Sequence, residues 1–109
     1  MDATEEPVEN SDDVKYIFFV DSMTEVPQIT IETSPKSILR VGYYDSQNKW
    51  HNNGDSSAST AGDTAGWTTD NNWQDTLPAN ANGGKYVIEV KAENGSKKNY
   101  VLEFREKSD

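Results

Sequence analysis

The chain has 109 residues, 19 acidic and 10 basic, for a net charge of −9, and it contains no cysteine and a single histidine, His51. Length and apolar content support one small core, so a single domain is expected, and disulfide frameworks, thiolate metal sites, cysteine nucleophiles and any catalytic apparatus needing two histidines are excluded. No apolar run approaches the roughly 18 residues of a membrane span, and the acidic balance argues against phosphate contact, so neither membrane insertion nor nucleic-acid binding is expected.

Residues 1–13 carry six of the acids and no base, with Val8 as their one branched aliphatic residue. Such a segment buries too little to offset its ordering entropy and is predicted to be a disordered acidic tail. It lacks the basic start and apolar run of a signal peptide, and Met1 reads as a start replacing a removed segment. The folded domain is predicted over residues 14–109. VKYIFFVD (14–21) is a continuous apolar run of strand length, rich in aromatic and β-branched residues, expected to lie centrally in a sheet. PQITIET (27–33) alternates, with Ile29 and Ile31 on one face and Pro27 at a strand start. SILRVGYY (37–44) sets Leu39, Val41 and Tyr43 against Ile38, Arg40 and Tyr44. One of the two tyrosines must therefore face away from the core.

Residues 45–84 differ from the rest. Among Val, Ile, Leu, Met and Phe they contain only Leu77, yet they hold all three tryptophans in the settings NKWHN, AGWTT and NNWQD. A structureless loop of this length is improbable in a compact domain, so the segment is expected either to contain short strands, near Lys49–His51 and Ala65–Thr68, or to be a functional surface loop. So little aliphatic material cannot cover three indoles, so at least some of them are expected near the surface. Exposed aromatic faces suit the C–H face of a pyranose ring, and flanking amides and carboxylates suit its hydroxyls. Trp50, Trp67 and Trp73 are thus the candidate stacking residues, with Tyr44 and Tyr43 beside them and Asp70, Asn72 and Gln74 as hydrogen-bonding partners. The competing reading has the tryptophans closing the open end of the core.

Catalysis is not expected. Asp63, Asp70 and Asp75 could supply paired carboxylates, but a domain this small lacks room for the long cleft of a glycan hydrolase. Asp55, Asp63, Asp70 and Asp75 lack the spacing of a calcium loop, so no cofactor is expected beyond the option of a structural calcium. His51 reads as a surface residue.

KYVIEVKA (85–92) and KKNYVLEFRE (97–106) read as a hairpin around Glu93-Asn94-Gly95-Ser96. A two-residue Asn-Gly turn would set Tyr86 opposite Glu103 and place an acid on the apolar face. A three-residue loop, Glu93-Asn94-Gly95, sets Ile88 opposite Tyr100, Tyr86 opposite Leu102 and Lys85 opposite Glu103. The faces select this register, with Gly95 left-handed. Tyr86, Ile88, Tyr100, Leu102 and Phe104 then share a buried face. Asn94-Gly95-Ser96 also matches the glycosylation acceptor pattern, without meaning in a bacterial protein. No stretch carries helical periodicity with capping signals. The predicted fold is an all-β antiparallel sandwich, jelly-roll or immunoglobulin-like, with no significant helix.

Val87–Lys91, Glu93-Asn94-Gly95 and Tyr100–Phe104 resemble the last two strands of bacterial cadherin-like and immunoglobulin-like sandwich modules. The resemblance covers about a fifth of the chain. It implies a secreted or cell-surface bacterial setting, and the Trp-rich segment looks like the binding face of a carbohydrate-binding module. The expected function is non-catalytic binding of a polysaccharide or oligosaccharide, with plant cell-wall xylan or β-glucan preferred, targeting an appended glycan-degrading catalytic domain. The alternative is a spacer or adhesion module with structural tryptophans.

Overall fold

The computed structural model describes residues 3–8, 11–53 and 66–108. Its strands are β1 (Ala3–Pro7), β2 (Val14–Val20), β3 (Gln28–Glu32), β4 (Ser37–Tyr44), β5 (Trp50–Asn52), β6 (Asn72–Thr76), β7 (Lys85–Ala92) and β8 (Lys97–Glu106). Sheet A runs β1-β2-β8-β7-β4-β5, and sheet B is the pair β3-β6. The two sheets pack as a β-sandwich. The helical content among the described residues is a short 3₁₀ turn at Ala81–Gly84.

All five strands expected from periodicity are present. The β7–β8 register pairs Lys85 with Glu103, Tyr86 with Leu102 and Ile88 with Tyr100. Its turn closes through the Gly95 N–H on the Ala92 carbonyl and the Ala92 N–H on the Ser96 carbonyl, both at 2.9 Å. Gly95 has φ +89°, the left-handed conformation that a side chain resists. With the register fixed, Tyr86, Ile88, Leu102 and Phe104 are buried and Tyr100 is half-buried, while Val87 and Val101 lie half-buried on the opposite face. Val20, Leu39, Val41, Leu77 and Ala79 complete the core between the sheets. The Tyr86 hydroxyl donates to the Pro78 carbonyl at 2.5 Å and ties the Leu77–Ala79 segment to sheet A. Burial, with Tyr43 nearby, pushes the Tyr86 phenol up to about 12.

Three features differ from the sequence expectations. First, β2 and β8 pair in parallel, whereas the other strand pairs are antiparallel. No hairpin joins β2 to β8, so the long intervening chain permits the parallel arrangement. Second, part of the segment expected to be disordered is a strand: Ala3–Pro7 pairs antiparallel with β2. All five of its residues are exposed. Its role is to give the backbone groups of β2 a partner, which needs no apolar side chains. Its two glutamates and terminal proline blunt the new edge. Third, the later half of the polar 45–84 segment contributes β6, a strand not anticipated. The expected strand near Ala65–Thr68 reduces to one bridge between Thr68 and Leu39, with Ala65 itself outside the described residues. β6 is viable because Trp73, opposite Ile31, supplies an apolar side chain that packs against the core.

Ile88→Ala is expected to cost about 2–5 kcal/mol, because it opens a cavity between the sheets. Val101→Ala, on the other face, should cost clearly less. Urea denaturation of the two variants checks the assignment of faces.

Candidate functional site

The inner face of sheet A looks toward sheet B, and its outer face carries Arg40, Gly42 and Tyr44 from β4, with Glu89 and Lys91 from β7. Arg40 and Glu89 are direct cross-strand partners. Both are buried, at 0% and 1% exposure. The Arg40 Nε and Nη2 atoms each reach Glu89 Oε1 at 2.5 Å. Lys97 Nζ reaches Glu89 Oε2 at 2.9 Å. The Tyr44 hydroxyl accepts from Arg40 Nη2 at 3.0 Å and stands 3.2 Å from both Glu89 oxygens, where it donates. Two indoles complete the cluster. Arg40 Cζ lies 4.0 Å from the Trp50 ring centroid and 4.9 Å from that of Trp67, and Lys91 Nζ lies 4.6 Å from Trp67.

The glycine at position 42 makes this arrangement possible. A Cβ there would collide with the His51 carbonyl and come within 2.7 Å of the Trp50 ring. Without one, the indole can lie close to β4, beside the guanidinium. Burial pushes the Glu89 carboxyl up, but hydrogen bonds from Lys97 and Arg40, together with their charges, outweigh it and hold the group below its ordinary value. Burial and the neighbouring Glu89 charge raise the Tyr44 phenol. Two buried polar atoms, Trp50 Nε1 and Asn99 Oδ1, have no hydrogen-bond partner among the described residues.

Of the residues expected to form a sugar-binding face, Trp50, Trp67 and Tyr44 gather around Arg40, whereas Trp73 and Tyr43 lie on the inner side of the sheets. Trp50 is buried at 1% exposure, which overturns its expected place near the surface. Trp67 is half-buried against Arg40 and Lys91. Trp73 lies on the inner side of sheet B, packed on the core. Tyr43 also points inward, stacked on His51 at 4.8 Å and edge-on to Tyr86 at 6.5 Å. Tyr44 faces outward, half-buried, within the ion-pair cluster. Asn72 and Gln74 are exposed and alternate with Trp73, so they face away from it. Asp70 Oδ1 accepts the Asn72 N–H at 3.0 Å and shapes the entry to β6. The scarcity of aliphatic residues was a poor guide to exposure because cationic side chains and a bare glycine surface cover indoles equally well.

His51 is half-buried, 2.8 Å from Asp45 Oδ2. That hydrogen bond and the Lys49 N–H lower the Asp45 carboxyl. Among the described residues no group of three or more His, Asp or Glu could hold a metal ion. Asp55 and Asp63 lie outside the described residues. Arg40, Glu89 and Lys97 were not singled out from sequence. The signal for Arg40 and Glu89 was a charged residue placed within an otherwise apolar strand pattern, but pairing them required knowing that β4 lies beside β7. Comparison with known protein families, with curated proteins and with solved structures finds no match.

Glu89→Gln leaves Arg40 buried against a neutral amide and is expected to cost about 3–5 kcal/mol at neutral pH. The pH dependence has a definite sign. The Glu89 carboxyl is lowered in the fold, so its stabilisation is present above its ordinary value of 4.5 and is lost as pH falls through the lower folded value. Chemical denaturation between pH 7 and about pH 3 should therefore show a shallower acid slope for Glu89→Gln than for the parent chain.

Proposed function

We propose that the chain is a non-catalytic immunoglobulin-like module of the spacer or adhesion type. The observation that carries this reading is the burial of Trp50 beside the Arg40–Glu89 pair, with Trp73 turned onto the core. The aromatic residues most suited to stacking on a ligand contribute to the fold. Strand order supports the same reading. β8-β7-β4 with β5 outside corresponds to the order G-F-C-C′ of an immunoglobulin-like sandwich, and β3-β6 corresponds to its B–E pair. Such modules occur as repeats in secreted bacterial surface proteins, which fits the resemblance of the C-terminal hairpin.

The second reading is a carbohydrate-binding module that targets an attached glycan-degrading enzyme to xylan or β-glucan. The half-buried Trp67 and Tyr44, both on the outer side of sheet A, favour it. Tryptophan fluorescence separates the two. Titration with xylo-oligosaccharides and mixed-linkage β-gluco-oligosaccharides into the roughly millimolar range is expected to give no saturable change. Trp50→Phe is expected to lower Tm by several degrees. A saturable change abolished by Trp67→Ala in a folded variant would overturn the spacer reading and establish the second.

A further inference from the structure

Sheet B has two strands with which to cover the inner face of a six-stranded sheet. Beyond β3 the inner face of β2 and β8 is left as an open cleft of about 620 Å³. Its walls include Tyr16, Phe18, Val90 and Tyr100 from sheet A, and Ile29 and Ile31 from β3. All six are half-buried. Tyr16 and Tyr100 stack along its floor, with centroids 6.4 Å apart.

The hydrogen-bonding direction of β3 says what shape fits there. The Thr33 N–H bonds the Asn71 carbonyl and the Leu77 N–H bonds the Pro27 carbonyl, both at 2.9 Å. In an antiparallel ladder the bonded residues alternate, so Ile29 and Ile31 bond β6 while Gln28, Thr30 and Glu32 turn their N–H and C=O groups the other way. Among the described residues no strand pairs with that edge. A strand added there would lie about 4.8 Å from β3, above the cleft. Charge says what composition fits. Among the described residues Glu32 is the one charged residue lining the cleft. Glu5 and Glu6 stand on β1 at the far side, in a chain of net charge −9. Lys98 stands beside the cleft, with Nζ 5.4 Å from the Tyr100 ring centroid. β1 itself, ATEEP, has no large apolar side chain with which to fill the cleft.

We propose that this edge and cleft bind an extended peptide segment of another protein by strand addition to β3. Apolar side chains at alternate positions enter the cleft between Ile31 and Tyr100. Lysine or arginine at the intervening positions faces Glu32 and solvent. Main-chain hydrogen bonds supply the pairing and the cleft supplies the side-chain preference. The inference goes beyond the module reading, since a spacer, an adhesin and a sugar binder could each carry such an edge.

The probe is a synthetic capped peptide, Lys-Ile-Lys-Val-Lys-Phe-Lys, with a counterpart carrying Glu in place of Lys. Amide NMR with hydrogen exchange is expected to show saturable shifts, and new protection of the Thr30 and Glu32 amides, for the Lys peptide alone. Thr30→Pro removes an N–H that faces the free edge, where a fold tolerates proline. That variant should keep its Tm and lose at least about tenfold in affinity, whereas Thr30→Val should bind as the parent does. If Thr30→Pro fails to fold, protection of the Thr30 and Glu32 amides in the parent decides the question. The proposal is overturned by no binding at roughly millimolar peptide, by binding that leaves the β3 amides unprotected, or by equal binding of the Glu counterpart. It is also overturned if sedimentation shows a dimer whose Thr30 and Glu32 amides are protected without peptide, because the occupant is then a second copy.

Discussion

The buried pair of Arg40 and Glu89 constrains the outer half of this domain. It sits mid-strand on the face of sheet A that looks away from sheet B, so the second sheet cannot shield it. Two charges removed from water are costly unless their partners are close and complete. The chain meets that requirement with Lys97 and the Tyr44 hydroxyl on the carboxylate, and with the indoles of Trp50 and Trp67 against the guanidinium. Gly42 leaves room for one indole to approach. Six strand positions, on β4, β5, β7 and β8, are thus committed to keeping one ion pair dry and hydrogen-bonded.

That commitment decides how the aromatic residues are interpreted. A tryptophan that stacks on a sugar must keep a face open. The face of Trp50 is taken by a cation, and Trp73 belongs to the core on the other side of the molecule. Trp67 and Tyr44 share the outer side of sheet A and are half-buried. Six strands face two, and the uncovered strip lies along β2 and β8, next to the free edge of β3.

Much of the fold was legible because strand periodicity and side-chain faces reinforce one another. The β7–β8 register followed from refusing to place Glu103 opposite Tyr86, and Gly95 then fell at the position where the turn needs a left-handed residue. β2 was legible from its unbroken apolar run. β1 was not, because ATEEP contributes backbone pairing and no burial, and composition is silent about that. β6 was not, because NWQDT has a single large apolar residue and earns its place through Ile31 across the ladder. The ion-pair cluster was hidden for a different reason. Arg40 and Glu89 are 49 residues apart and meet only through a pairing of strands that are not consecutive in the chain. Without that pairing, a polar segment with three tryptophans looks like exposed aromatic surface. With it, Trp50 belongs to the interior.

The central claim, that Trp50 is part of the fold and not of a binding face, is tested most directly by hydrogen exchange at its indole N–H. The signal is assigned by its disappearance in Trp50→Phe. The atom is buried and has no hydrogen-bond partner among the described residues, so its protection reports exclusion of water alone. Exchange slowed to the rate set by cooperative opening of sheet A is the expected result. Exchange as fast as that of a free indole would contradict the account and return Trp50 to the surface.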